Sequence, residues 1–121
     1  MTYEEFNEFC RVIPATTYVV QWGGAHVWKV GGKVFAIGGW EKAEGPAITF
    51  KTSDLNFEIL SHEPGFRPAP YMASRGMKWI QQYDLSTQRI EELKYYIQES
   101  HKIVSSGLSK KKQKELGLDG A

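Results

Sequence analysis

The chain has a single cysteine, Cys10, so no disulfide can form within it, and a reducing compartment is the expectation. It has no apolar run near the roughly 18 residues that a membrane helix needs. It has only three histidines, His26, His62 and His101, far apart and none with a second ligand at metal-binding spacing. No metal and no organic cofactor are therefore expected. Charge of one sign is not in excess either, the net being +1 at pH 7. The opening MTYEEFNEFC has no basic flank ahead of an apolar run, so no signal peptide is expected and the cytoplasm is the expected location.

Catalytic constellations are missing as well. Asp and Glu are scattered, with no pair placed to divide acid and base roles. Glu91 and Glu92 suit the polar N-terminal end of a helix. Cys10 falls on an apolar helical stripe, where it reads as a small core residue. His101 reads as a surface or half-buried helical residue. The expectation is a protein that works by binding and is not an enzyme.

What is present suffices for one core. Across 121 residues, hydrophobic residues make up 41%, and four Trp, six Tyr and six Phe add large apolar volume. Thr2 and Glu5 form a capping box, and Phe6, Phe9, Cys10 and Ile13 make one apolar stripe that ends at Pro14. Residues 17–22, 26–30, 33–37 and 47–51 are β-branched and aromatic runs. Gly31-Gly32 between two of them predicts a tight hairpin.

Ser53 or Asp54 caps a short helix whose buried side is Leu55, Ile59 and Leu60, closed by Pro64-Gly65. Pro68 and Pro70 keep residues 66–72 extended, out of helices and central strands. Residues 77–83 read as a strand. Ser86 or Thr87 caps the longest helix, with Ile90, Leu93, Ile97 and Val104 on one face and Gly107 ending it as its C′ residue. Ser109 caps a short basic helix that stops at Gly117. These elements predict an α+β fold in two layers, an antiparallel sheet with helices packed on one face.

Charge is unevenly distributed. Residues 1–65 carry five Lys/Arg against eight Asp/Glu, a balance of −3, and residues 66–121 carry ten against six, a balance of +4. The excess peaks at Lys110, Lys111, Lys112 and Lys114, a phosphate footprint or a solvated helix end. Arg67, Arg75 and Lys78 interleave with Phe66, Tyr71 and Trp79, a pattern that can hold a backbone and stack bases, or that can put aromatics in the core and cations on its rim. Trp22 beside Gly23-Gly24 is a third candidate, because glycine allows close approach.

Residues 27–36, VWKVGGKVFA, resemble the "VFKVGGKMFA" hairpin of MmcQ/YjbR-like proteins. Residues 48–51, ITFK, are similar to that family's "ISFK"; residues 64–72, PGFRPAPYM, to "PGxxPAPYLA"; and residues 107–111, GLSKK, to "GLTKK". The matches run in order through about residue 116, which implies a single domain over 1–116 and a tail over 117–121. Gly76 and Met77 depart from the pattern by extending the turn before Trp79.

The resemblance implies the order α-β(3)-α-β(2)-α, a fold like that of secretion chaperones, and DNA binding through a double-wing arrangement of hairpins. Duplex DNA is then the expected partner, held at phosphates by Lys29, Lys33, Arg67, Arg75, Lys78, Lys110, Lys111, Lys112 and Lys114. The alternative is a protein- or peptide-binding module with its groove at Trp22, Tyr71 and Trp79. A monomer with no membrane partner is expected in either case.

Overall fold

A computed structural model describes residues 1–40, 45–85 and 89–118. The first helix, α1 (Tyr3–Arg11), starts where the sequence says. Thr2 Oγ1 accepts from the Glu5 backbone N–H at 3.1 Å, and Glu5 Oε1 accepts from the Thr2 N–H at 3.0 Å. Phe6 and Cys10 on its inner stripe are fully buried.

Four strands follow: β1 (Thr16–Gln21), β2 (Ala25–Val30), β3 (Lys33–Gly38) and β4 (Ile48–Lys51). Next come α2 (Asp54–Leu60), β5 (Phe66–Pro68), a 3₁₀ turn at Ala73–Arg75 and β6 (Trp79–Gln82). The chain then forms α3 (Ile90–Ser106) and α4 (Lys110–Glu115). Among the described residues, the six strands form one antiparallel sheet in the order β1-β2-β3-β4-β6-β5.

The opening run therefore holds four strands, one more than the three expected in the order α-β(3)-α-β(2)-α. Each of the four β-branched runs is long enough to pair, and β1 adds itself to the edge of β2 over six residue pairs. The proline-held segment supplies β5. It lies at the other edge, where Pro68 needs no ladder donor on its outer side.

The helices pack on one face of this sheet. Phe6, Trp28, Phe35, Phe50, Ile80, Leu93, Ile97 and Val104 belong to a single buried cluster beneath them, each full side-chain burial contributing roughly 1.5–3 kcal/mol. α3 is fixed by hydrogen bonds as well as by its apolar stripe. The buried Ser100 hydroxyl donates to the Phe35 carbonyl at 2.6 Å and accepts from the Lys51 N–H at 2.9 Å, tying the helix to β3 and β4 together.

The opposite sheet face carries a smaller cluster of Ala25, Val27, Ile37, Ala69, Met72 and Trp79, with Val19, Val34 and Trp40 against it. Ala69 and Met72, from the segment after β5, are members of this cluster.

Several local expectations are corrected. Leu55 and Ile59 are 69% and 48% exposed, and only Leu60 of the three is buried. The pair at i and i+4 forms the outer face of a two-turn helix, because Phe57 and Leu60 form the inner one. Gly107 ends α3 in right-handed geometry at φ −83°, since 3₁₀-type bonds from Gly107 and Leu108 to Val104 and Ser105 tighten the last turn instead. His101 is buried, edge-on to Phe35, with Nε2–H donating to the Pro14 carbonyl at 2.8 Å. The expected caps at Ser86 and Thr87 and the end of the tail at residues 119–121 lie outside the described residues.

Candidate nucleic-acid interface

The hairpin joining β2 and β3 turns on Gly31 and Gly32, both in left-handed backbone at φ 58° and 81°, as a two-residue turn matched to strand twist requires. Gly31 also lies hard against another element. A Cβ built on it would sit 2.6 Å from Leu108 Cδ1 and 2.9 Å from Cδ2. Leu108 joins α3 to α4, so this contact seats the hairpin tip beside the start of the basic helix.

α4 is held in place from below. Ser109 Oγ accepts from the Lys112 N–H at 3.1 Å, Gln113 Nε2 donates to the Leu108 carbonyl at 2.9 Å, and Leu116 and Leu118 reach the main cluster. Lys110, Lys111, Lys112 and Lys114 are exposed around it, Lys33 is exposed on the hairpin and Lys29 is half-buried. The ion pairs among the described residues join Arg89 to Glu63 and Glu92, and Lys94 to Glu91, so they use none of these lysines. Lys33 and Lys110 each lie two residues from the Gly31–Leu108 contact, which makes this corner of the molecule basic.

Arg67, Arg75 and Lys78 make other contacts. Arg89, immediately before α3, lies over the ring of Phe66 at 4.8 Å, whereas Leu108, just past its other end, meets Gly31. The 17 residues between span about 25 Å of helix. Lys78 turns toward α2, with Nζ 4.8 Å from the Phe57 ring centre.

Arg67 and Arg75 belong to the sheet face away from the helices. The Arg67 Nε–H and Nη2–H both donate to Gln81 Oε1, at 2.9 and 2.7 Å, with the guanidinium 5.1 Å from the Tyr83 ring centre. Gln81 Nε2 in turn donates to the Trp40 carbonyl at 2.9 Å, and Trp40 Nε1 donates to the Pro70 carbonyl at 3.2 Å. Trp22 meets Trp40 edge to face at 5.1 Å. Arg75 donates to the Tyr71 hydroxyl at 2.8 Å and lies over that ring at 5.4 Å.

Of the groove residues named from sequence, Trp22 and Tyr71 are exposed, while Trp79 is 4% exposed and part of the apolar cluster beneath. Trp40, Gln81 and Tyr83 went unnoticed in the sequence. Two adjacent glutamines inside an apolar strand, at Gln81 and Gln82, were the available signal, because a buried amide needs partners.

Burial in an apolar setting holds the Cys10 thiol far above its usual range. A cleft of about 210 Å³ between α3 and α4 is lined by His101, Lys102, Ser105, Ser106, Gln113 and Leu118. Burial pushes the His101 imidazole below its ordinary 6.5, with the Pro14 carbonyl opposing more weakly. Among the described residues, no three His, Cys, Asp or Glu gather as a metal-binding group, and no helix is long and apolar enough to cross a membrane.

The fold is thus an α+β domain with one antiparallel six-stranded sheet, helices on one side and a basic corner where the central hairpin meets the C-terminal helix. The YjbR family model matches residues 12–103, and the chain belongs to the YjbR family. The crystal structure of Deinococcus radiodurans protein DR2400, a DUF419 domain, superposes with a TM-score of 0.80 over 99% of this chain and 91% of that one, at 21% sequence identity. That likeness establishes the shared fold. No match is found among curated proteins.

Proposed function

We propose that the protein is a non-catalytic DNA-binding domain that grips duplex phosphates with the basic corner formed by Lys29, Lys33, Lys110, Lys111, Lys112 and Lys114. The observation that supports this reading is the seating of Leu108 on Gly31, which sets the hairpin tip beside the start of the basic helix. Lysines on phosphates release condensed counterions, so log affinity falls with log salt at about −0.9 per phosphate neutralised. The reading gives Arg67 no part in that grip, since it is held against Gln81 on the sheet face away from the helices.

The test is a titration with labelled duplex DNA at several salt concentrations, on the wild type and on the double variant Lys111→Gln/Lys112→Gln. The double change should weaken binding to all sequences alike and flatten the salt slope by roughly two units, with little change in sequence preference. No measurable duplex affinity near about 50 mM salt, where phosphate binding is strong, sinks the reading. The exposed rings of Trp22 and Tyr71 favour a second reading, a protein- or peptide-binding module. A response of tryptophan fluorescence to a proline-rich peptide, from a protein that ignores duplex DNA, would put it first.

A further inference from the structure

We infer that the sheet face opposite the helices is a second, separate site, one that stacks the unpaired bases of a single-stranded nucleic acid. Its two most exposed aromatic rings are held in costly backbone geometry. Trp22 has φ 51° and Tyr71 φ 70°, left-handed values that a bulky residue adopts only when its surroundings impose them. Strain of this kind collects at binding and catalytic positions. Here it leaves large apolar side chains 52% and 57% exposed.

The two rings belong to one connected surface. Trp22 touches Trp40, the Trp40 indole is bonded to the Pro70 carbonyl, and Pro70 precedes Tyr71. The cations are placed on the same surface. Arg75 is tethered to the Tyr71 hydroxyl and stacked on that ring. Arg67 is oriented by a forked bond to Gln81, which the Trp40 carbonyl holds in turn.

Neither arginine enters an ion pair among the described residues. Planar π-faces beside oriented guanidinium groups fit a ligand that is both flat and anionic. Every nucleobase has a π-face, so such stacking tolerates any sequence, and the phosphates supply the charge. A duplex does not fit, because its bases are already stacked on one another. A neutral proline-rich peptide fits the rings but leaves the cations unanswered. This site shares no residue with the basic corner, so either reading can fail without the other.

The test uses the full chain and a labelled oligo(dT) of about 12 nucleotides, within the range that single-strand sites cover. Binding is read by anisotropy and stacking by quenching of tryptophan fluorescence. Quenching is expected, with Trp22→Ala and Tyr71→Ala each weakening binding about 5- to 140-fold, the range for one lost base–aromatic stack. Lys111→Gln/Lys112→Gln should leave the quenching intact.

Arg75→Gln, at an exposed position, guards against a failure of the aromatic variants to fold. It should flatten the salt slope by about 0.7, the value for one phosphate of a single strand. An abasic strand of equal length should bind far more weakly. Equal binding of the abasic strand, indifference to all three substitutions, or quenching by a proline-rich peptide where oligo(dT) gives none would each overturn the inference.

Discussion

Replacing Gly31 with alanine strikes the contact on which the basic corner depends, and its neighbour provides the control. At φ 58°, a side chain at position 31 must accept left-handed backbone, at about 1–2 kcal/mol. The new methyl would also lie 2.6 and 2.9 Å from the two Cδ atoms of Leu108 and 3.3 Å from its Cγ. Leu108 is 8% exposed and belongs to the main cluster, so it can yield only by giving up contacts there, at about 1–3 kcal/mol for an overpacked site.

Gly32 has a similar φ of 81°, but a Cβ there meets nothing within 4 Å. Gly32→Ala therefore carries the backbone term alone. Any stabilisation from a stiffer unfolded chain is common to both variants and cancels in the comparison. Gly31→Ala should be less stable than Gly32→Ala by about 1–3 kcal/mol. At this chain length each kcal/mol lowers Tm by about 3–6 °C.

Urea titration followed by circular dichroism reads the difference as a shift of midpoint at constant slope. Repeating the duplex titration on Gly31→Ala tests whether moving Leu108 disturbs the lysines it positions. Equal losses in the two alanine variants would refute the packing of Leu108 on the hairpin, and with it the structural basis of the corner.

Ser100→Ala should cost about 1–3 kcal/mol, because it leaves the Phe35 carbonyl and the Lys51 N–H without their shared partner in a fully buried position; an unchanged urea midpoint would show that the tie between helix and strands contributes nothing. His101 sets a pH dependence. Its folded-state pKa lies below 6.5, chiefly through burial, so on acidification the unfolded chain takes up the proton first. Stability should be full above about pH 6.5 and fall as pH drops through the folded value, and His101→Gln should lose that component of the slope in urea titrations across pH, whereas a wild-type slope in the variant would refute the assignment.

Features that depend on neighbours in sequence were legible from it. The caps at Thr2, Ser53 and Ser109 each form the hydrogen bond that their hydroxyls predict. The Gly31-Gly32 turn follows from local rules, as does the burial of Leu93, Ile97 and Val104, while Ile90 of the same stripe is only half-buried. The failures concern choices between alternatives of nearly equal local merit. In α2, Leu55 with Ile59 and Phe57 with Leu60 are both acceptable apolar pairs on a two-turn helix, and only packing against the sheet selects the second. Trp79 read as a groove residue because a strand's period of two leaves the choice of face open until its partners are known. The candidate site was legible as residue types and not as places: nothing local to Leu108 announces that it will meet Gly31, and nothing in the stretch around Tyr71 announces a left-handed backbone.

The rise in positive charge along the sequence also misleads if read as one surface. Arg67 follows Phe66, which Arg89 covers just before α3, whereas Lys110 to Lys114 come after its far end, about 25 Å of helix away. That distance exceeds two Debye lengths at physiological salt, about 8 Å each, so charges at one end scarcely feel those at the other across solvent. Substitutions in the basic corner should therefore leave ligand binding at the aromatic face to respond only through its own arginines, and the reverse holds for the corner. The basic half of the sequence is thus divided, in the folded chain, between two surfaces. One consists of lysines on a hairpin and a short helix, which suits phosphates alone; the other consists of arginines fixed against tyrosines and a glutamine, which suits a ligand with both charge and a flat face.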